Sequence, residues 1–373
     1  MADGVLLVPG FFGFDTFGAH RQVPIRYFGR VVAALENERP DLQGRIHGAD
    51  PPPMGPLAAR VDALYATLMD ALAQGIGPKR LPVDRLHLIG HSIGGVCARL
   101  LTNRHHWMGD VRSGSYRDLM RYIGTVVTVA APLHGTPLAT RLTSDFPLSI
   151  PGLSLLSIVA KASETMPPRP ITGDLLLAEM LRRPDAPGQA TLDLLLGLDP
   201  ETAGEIARFL DRTVADHAVL RDLAPETMRR VNARLANGDH PDLRHVVTVA
   251  PPPPDLHATA GITDELFRLL YATLYQATAD PAFEPAAFPL GAWMDGSDRT
   301  LAAAGPVVND GVVPSCSQTL TGTAGAIVEA DHLDVVGHYR SRRFRGTTVL
   351  RSGAAFDDVD FQQLWSTIGG MLR

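Results

Sequence analysis

A chain of 373 residues, 45% hydrophobic and 20% charged, has the composition of a folded protein with a sizeable core: one large domain carrying an insertion, or two domains. Its net charge of −6 offers no electrostatic footprint for nucleic acid, and no stretch approaches the roughly 20 apolar residues of a membrane span. The opening Met1-Ala2-Asp3-Gly4 runs straight into an apolar segment, without the basic and long apolar regions of a secretion signal. The two cysteines, Cys97 and Cys316, permit one bridge, but Cys97 falls on a segment expected to face the core, where thiols are inert. A cytoplasmic protein with free thiols is expected, or a secreted one whose leader was removed.

In chain order, an apolar strand is expected at 5–8, running into the glycine-rich turn Pro9-Gly10-Phe11-Phe12-Gly13-Phe14-Asp15. A helix over 27–35 and a short strand over 45–49 come next, and Pro51-Pro52-Pro53 breaks the chain. Apolar residues at 57, 61, 64, 68 and 72 follow a helical period. The apolar run 85–90 ends in Gly90-His91-Ser92-Ile93-Gly94-Gly95, and a helix-like stretch follows. Strand, sharp turn and helix around Gly-x-Ser-x-Gly form a nucleophile elbow, which holds its serine in a strained backbone conformation above a parallel sheet. Three fixed positions are a weak pattern, so the partners of Ser92 have to decide.

Further β-branched runs at 123–130 and 243–250 read as buried parallel strands. Between them lie helical segments at 153–162, 174–182, 191–196, 203–220 and 226–235. A helical insertion on this edge reads as a cap or lid, since its apolar stretches need a surface to cover; an independent helical domain is the alternative. One helix is expected near 263–274, a last strand at 326–329 and a closing helix over 359–372. The run Arg340, Arg342, Arg343 and Arg345 reads as a solvated face.

A serine nucleophile needs a base, and the base needs a group that fixes its tautomer. Among the late histidines only His332 lies just beyond a final strand and before the closing helix. The acid should sit in a loop after the preceding strand, and Val307-Val308-Asn309-Asp310-Gly311-Val312-Val313-Pro314 fits, an apolar run with Asp310-Gly311 at the turn after it. Ser92, Asp310 and His332 stand in the order serine, acid, histidine used by α/β-hydrolases. The pair His105-His106 is adjacent and points two ways on a helix, so a metal-dependent hydrolase has no support. A non-catalytic binding protein of the same fold is hard to reconcile with an intact triad.

With these residues in view, the sequence resembles the bacterial calcium-assisted triacylglycerol lipases of the α/β-hydrolase fold. The resemblance is carried by Val8-Pro9-Gly10-Phe11-Phe12-Gly13-Phe14-Asp15, Gly90-His91-Ser92-Ile93-Gly94-Gly95, Ala131-Pro132-Leu133-His134-Gly135-Thr136, Asn309-Asp310-Gly311-Val312-Val313-Pro314-Ser315-Cys316-Ser317 and His332-Leu333-Asp334. It implies a mostly parallel central sheet flanked by helices, with core segments 1–140 and 241–373 and a helical cap at 141–240. It further implies Ser92 as nucleophile, Asp310 as acid, His332 as base, and the backbone N–H groups of Phe11 and Ile93 as the oxyanion hole. Asp334 matches the family's calcium-ligating aspartate, with Asp298, in preference to Asp295, as the second carboxylate of a structural calcium site. The chain departs from the family at Pro9, where a histidine usually organises the oxyanion loop, and in lacking the cap-side cysteine that would pair with Cys316.

The expected activity is hydrolysis of hydrophobic, lipid-like esters, with action at a lipid–water interface a further expectation. No organic cofactor, nucleic-acid partner or membrane-spanning segment is expected. An acyltransferase or a polyester depolymerase would use the same triad.

Overall fold

The computed structural model describes residues 2–22, 24–107, 116, 118–143, 153–154, 158, 199–253, 262–281, 283, 291–299, 301, 307–320, 325–339 and 350–373. Its centre is a six-stranded sheet of β1 (Asp3–Val8), β4 (Ile46–Gly48), β5 (Arg85–His91), β6 (Ile123–Val129), β7 (Leu243–Val249) and β8 (Ala326–Glu329), ordered β4-β1-β5-β6-β7-β8. Every pairing in it is parallel. Parallel neighbours need crossover connections that cover both faces with helices. β6 is accordingly buried along its whole length. A small antiparallel ribbon, β2 (Thr16–Phe17) with β3 (Ile25–Arg26), follows the first turn.

The register levels the carboxyl ends of the strands. Val8 stands beside Gly90, His91 beside Val129, and Val249 beside Glu329. The turn after β1, the elbow after β5 and the loop after β8 therefore leave the sheet on one edge, where ligands bind in open α/β sheets.

Helix α1 (Gly29–Glu38) packs against the closing helix α9 (Asp358–Met371), and α2 (Leu57–Gln74) against α3 (Ile93–Thr102). In α2 the expected stripe is the buried one, with Leu57, Val61, Leu64 and Leu68 facing inward. Beyond β6 come α4 (Pro137–Thr143), α5 (Pro200–Ala215), α6 (Ala218–Asp222) and α7 (Pro225–Leu235); α8 (Ile262–Thr278) follows β7.

Two expectations change. The single helix over 203–220 is broken, because Asp216 is extended and its carboxylate accepts the N–H of Ala218, starting α6 afresh. The run before Asp310 is not a strand of the sheet, whose next member after β7 is β8; Asn309 pairs with Pro314 in a tight loop instead. The helices expected at 174–182 and 191–196, most of that at 153–162, and the arginine run at 340–345 lie outside the described residues. Among the described residues, no helix is long and apolar enough to cross a membrane.

Candidate active site

Ser92 has φ 55° and ψ −128°, a conformation that costs a non-glycine residue on the order of 1–3 kcal/mol and persists only where the surroundings impose it. Those surroundings are crowded. A Cβ on Gly90 would lie 2.4 Å from the backbone of Gly94, and one on Gly94 only 2.0 Å from the carbonyl oxygen of Val8. The Ser92 N–H donates to Val129 O at 2.8 Å, tying the elbow to β6. The Ser92 side chain makes no capping hydrogen bond to α3.

His332 follows β8, and its Nδ1 lies 2.8 Å from Asp310 Oδ2. The His332 N–H also donates to the main-chain oxygen of Asp310, at 2.9 Å. Asp310 is fully buried, and a set of hydrogen bonds holds its carboxylate. Oδ1 accepts the N–H groups of Val312 and Val313; Oδ2 accepts Thr248 Oγ1 at 2.6 Å and Gln318 Nε2 at 3.2 Å. A carboxylate acceptor fixes the proton of neutral His332 on Nδ1, which leaves Nε2 as the basic nitrogen.

The turn after β1 approaches the elbow so closely that a Cβ on Gly10 would lie 2.6 Å from Ser92 Cβ. Two side chains from elsewhere in the chain hold the turn at Pro9. Arg60, fully buried on α2, donates to Pro9 O at 2.8 Å, Gly10 O at 3.2 Å and Pro53 O at 3.1 Å, and also to Pro52 O. Tyr27 Oη accepts the N–H of Gly10. The N–H groups of Phe11 and Ile93 donate to no acceptor among the described residues. That of Ile93 is one of the orphan donors at the start of α3.

Ser92, His332, Phe11 and Ile93 line one apolar cleft, with Asp310 behind His332. Four of the expected site residues thus meet there and the fifth supports them. Neither of the expected metal carboxylates is among the described residues that line this cleft. Asp334 is buried, and its Oδ2 accepts the N–H of Asp331; Asp298 is exposed, and no contact among the described residues joins it to Asp334. Beside Asp334 sits a second buried carboxyl, Asp331, bonded by the N–H groups of Leu333 and Asp334 and by Ser352 Oγ. Burial pushes both carboxyls above the usual range. No step below passes through a metal.

Cys97 and Cys316 are free and buried, and burial pushes the Cys316 thiol up to about 12. Sequence reasoning passed over Thr248 and Gln318, which carry no local signal, and Arg60, whose signal is a charge inside the apolar stripe of α2. It also passed over a group at the ribbon, where His20, Glu201 and Glu205 bring ligand atoms within 4.8 Å of one another. Two of these are engaged in clipping the ribbon to α5: Gly18 N–H donates to Glu205, and His20 bonds Asp199.

A serine elbow at the carboxyl edge of a parallel sheet, flanked by helices, with acid and histidine on later loops, is the architecture of the α/β-hydrolase fold. Solved structures sharing it include EstA from Clostridium botulinum, 17% identical with a TM-score of 0.53 over 100% of this chain and 87% of that one. Lipase 1 from Pelosinus fermentans is 15% identical with a TM-score of 0.50, over 99% of this chain and 98% of the other. At such identities the likeness concerns the fold. Neither a protein-family model nor a curated protein matches the chain.

Proposed function

We propose that the protein is a serine carboxylic-ester hydrolase acting on hydrophobic, lipid-like esters. One observation carries the reading: a serine strained into an elbow opens on the same cleft as a histidine whose far nitrogen is bonded to a buried aspartate. His332 Nε2 takes the proton of Ser92 as Oγ attacks the ester carbonyl, and the N–H groups of Phe11 and Ile93 receive the oxyanion. Each such donor is worth about 3 kcal/mol, because it is aimed at charge that develops in the transition state. Imidazolium then protonates the departing alcohol, and water, deprotonated by the same nitrogen, releases the acid from the acyl-enzyme.

The lining supports an apolar substrate. It includes Phe12, Leu138, Leu223, Leu274 and Val312; among the described residues no acidic side chain contributes, and His332 is the sole one there able to carry positive charge. The Thr136 hydroxyl at the wall is occupied, donating to Val312 O. A charged headgroup in this cleft would lose its hydration without compensation. In this reading segment 141–240 is the cap, with Leu220 of α6 reaching the cleft.

The test is hydrolysis of p-nitrophenyl esters from acetate to palmitate by the wild type and by Ser92→Ala. Turnover that rises with chain length and vanishes in the variant is expected. Absent turnover, or equal turnover in Ser92→Ala, overturns the reading.

A further inference from the structure

His91, the residue before the nucleophile, is buried and takes no part in the steps above. Its Nε2 lies 2.9 Å from the main-chain oxygen of His332, and its Nδ1 lies 2.7 Å from Tyr27 Oη. Tyr27 Oη in turn accepts the N–H of Gly10, 3.3 Å away, in the turn that carries Phe11. A carbonyl oxygen can only accept, so the proton of His91 belongs on Nε2. Nδ1 of the neutral ring is then an acceptor, and the Tyr27 hydroxyl donates to it. The donors then run in one direction: Gly10 N–H to Tyr27, Tyr27 O–H to His91, His91 N–H to His332.

The geometry points to His91 and Tyr27 as positioning residues that hold the oxyanion turn and the base-bearing loop in one register across the elbow. The inference rests on the ester-hydrolase reading. The sheet itself does not make this link, because β1 and β8 are separated by β5, β6 and β7. With the relay in place, both backbone groups of His332 are tied, its N–H to Asp310 and its carbonyl to His91. Neither relay side chain bonds the Ser92 side chain, so its loss acts through the placement of His332 and Phe11. Catalysis depends on that placement, since a shift of about 1 Å costs on the order of a hundredfold in rate.

The test compares Tyr27→Phe, His91→Asn, His91→Gln and the double variant Tyr27→Phe/His91→Asn on p-nitrophenyl butyrate, each normalised to the sites titrated by a fluorophosphonate. Glutamine places an amide nitrogen where Nε2 stood and keeps the donor to His332; asparagine reaches only as far as Nδ1. Tyr27→Phe and His91→Asn each lower kcat by about 10–100-fold with KM held within about twofold, the pattern of an interaction realised in the transition state. The double variant is no worse than the worse single one. His91→Gln keeps kcat within about fivefold of wild type, since its amide N–H donates to His332 O as Nε2 does and its amide oxygen accepts from Tyr27 as Nδ1 does.

Wild-type kcat in Tyr27→Phe, additive losses in the double variant, or equal losses in the asparagine and glutamine variants overturns the relay. If Tyr27→Phe does not fold, the asparagine–glutamine comparison decides alone. Ser92→Ala run alongside separates the two readings: residual turnover there overturns the hydrolase, whereas an inactive Ser92→Ala beside wild-type kcat in Tyr27→Phe overturns the relay alone.

Discussion

At Ser92 the backbone strain is imposed by neighbours that leave no room for a side chain. Gly94→Ala puts a methyl 2.0 Å from Val8 O, a backbone atom at the carboxyl end of β1 that cannot swing aside. We expect that substitution to destabilise the protein by more than about 4 kcal/mol, or to prevent folding, as read by urea denaturation; a variant of wild-type stability would show that the elbow relaxes. At Asp310 the carboxylate accepts from Val312, Val313, Thr248, Gln318 and His332. Asp310→Asn keeps the shape but offers His332 an amide, which favours the wrong tautomer. It should lower kcat by roughly 10³–10⁴-fold. A loss below tenfold would mean that another group orients the imidazole.

At the scale of elements, the turn after β1 is held from α2. Arg60 reaches from a buried face of that helix to the carbonyls of the turn and of the proline segment before α2. Arg60→Met fills the same space without donors and leaves those carbonyls unpaired. A loss of about 3 kcal/mol in stability is expected, with a fall in kcat, since hydrogen bonds from charged groups are the stronger ones. Unchanged kcat would show that the turn keeps its form without Arg60. On α8, Leu274 is buried against the cleft. Leu274→Trp narrows the cleft and should lower the long-chain to short-chain ratio of kcat/KM by about tenfold. An unchanged ratio would place the acyl chain elsewhere.

At the scale of the whole molecule, the sheet is held by buried strands that carry few polar groups, and some of those few are histidines. His245, in β7, bonds Thr128 of β6 at 2.8 Å, and burial pulls its imidazole down to about 4. Burial also lowers His87 and His134. A histidine whose folded pKa is depressed binds its proton more readily when unfolded, so its stabilising contribution is complete above pH 6.5 and declines as pH falls toward 4. For His245 alone that contribution is about 3 kcal/mol, at 1.36 kcal/mol per pKa unit. In urea denaturation at pH 8, 6 and 4.5, His245→Asn should lose less stability on acidification than wild type; parallel pH dependences would refute this.

The sequence alone determined the strands, because a parallel strand buried on both faces must be a continuous apolar run, as at 123–130 and 243–250. It also determined the elbow, because only glycine fits at 90 and 94, and the order of Ser92, Asp310 and His332 along the chain. The break at Asp216 went unseen because a side-chain hydrogen bond there does the work of a glycine or proline, and the run before Asp310 read as a strand because apolar runs look alike until their neighbours are known. Tertiary structure alone decided which groups stand behind these residues. Arg60 holds the turn at Pro9, Thr248 and Gln318 hold the Asp310 carboxylate, and Tyr27 and His91 link turn to loop. The difference is physical: burial and chain sterics are written into local residue type, whereas a hydrogen bond between residues 241 positions apart, as His91 makes with His332, exists only once the sheet has brought them together.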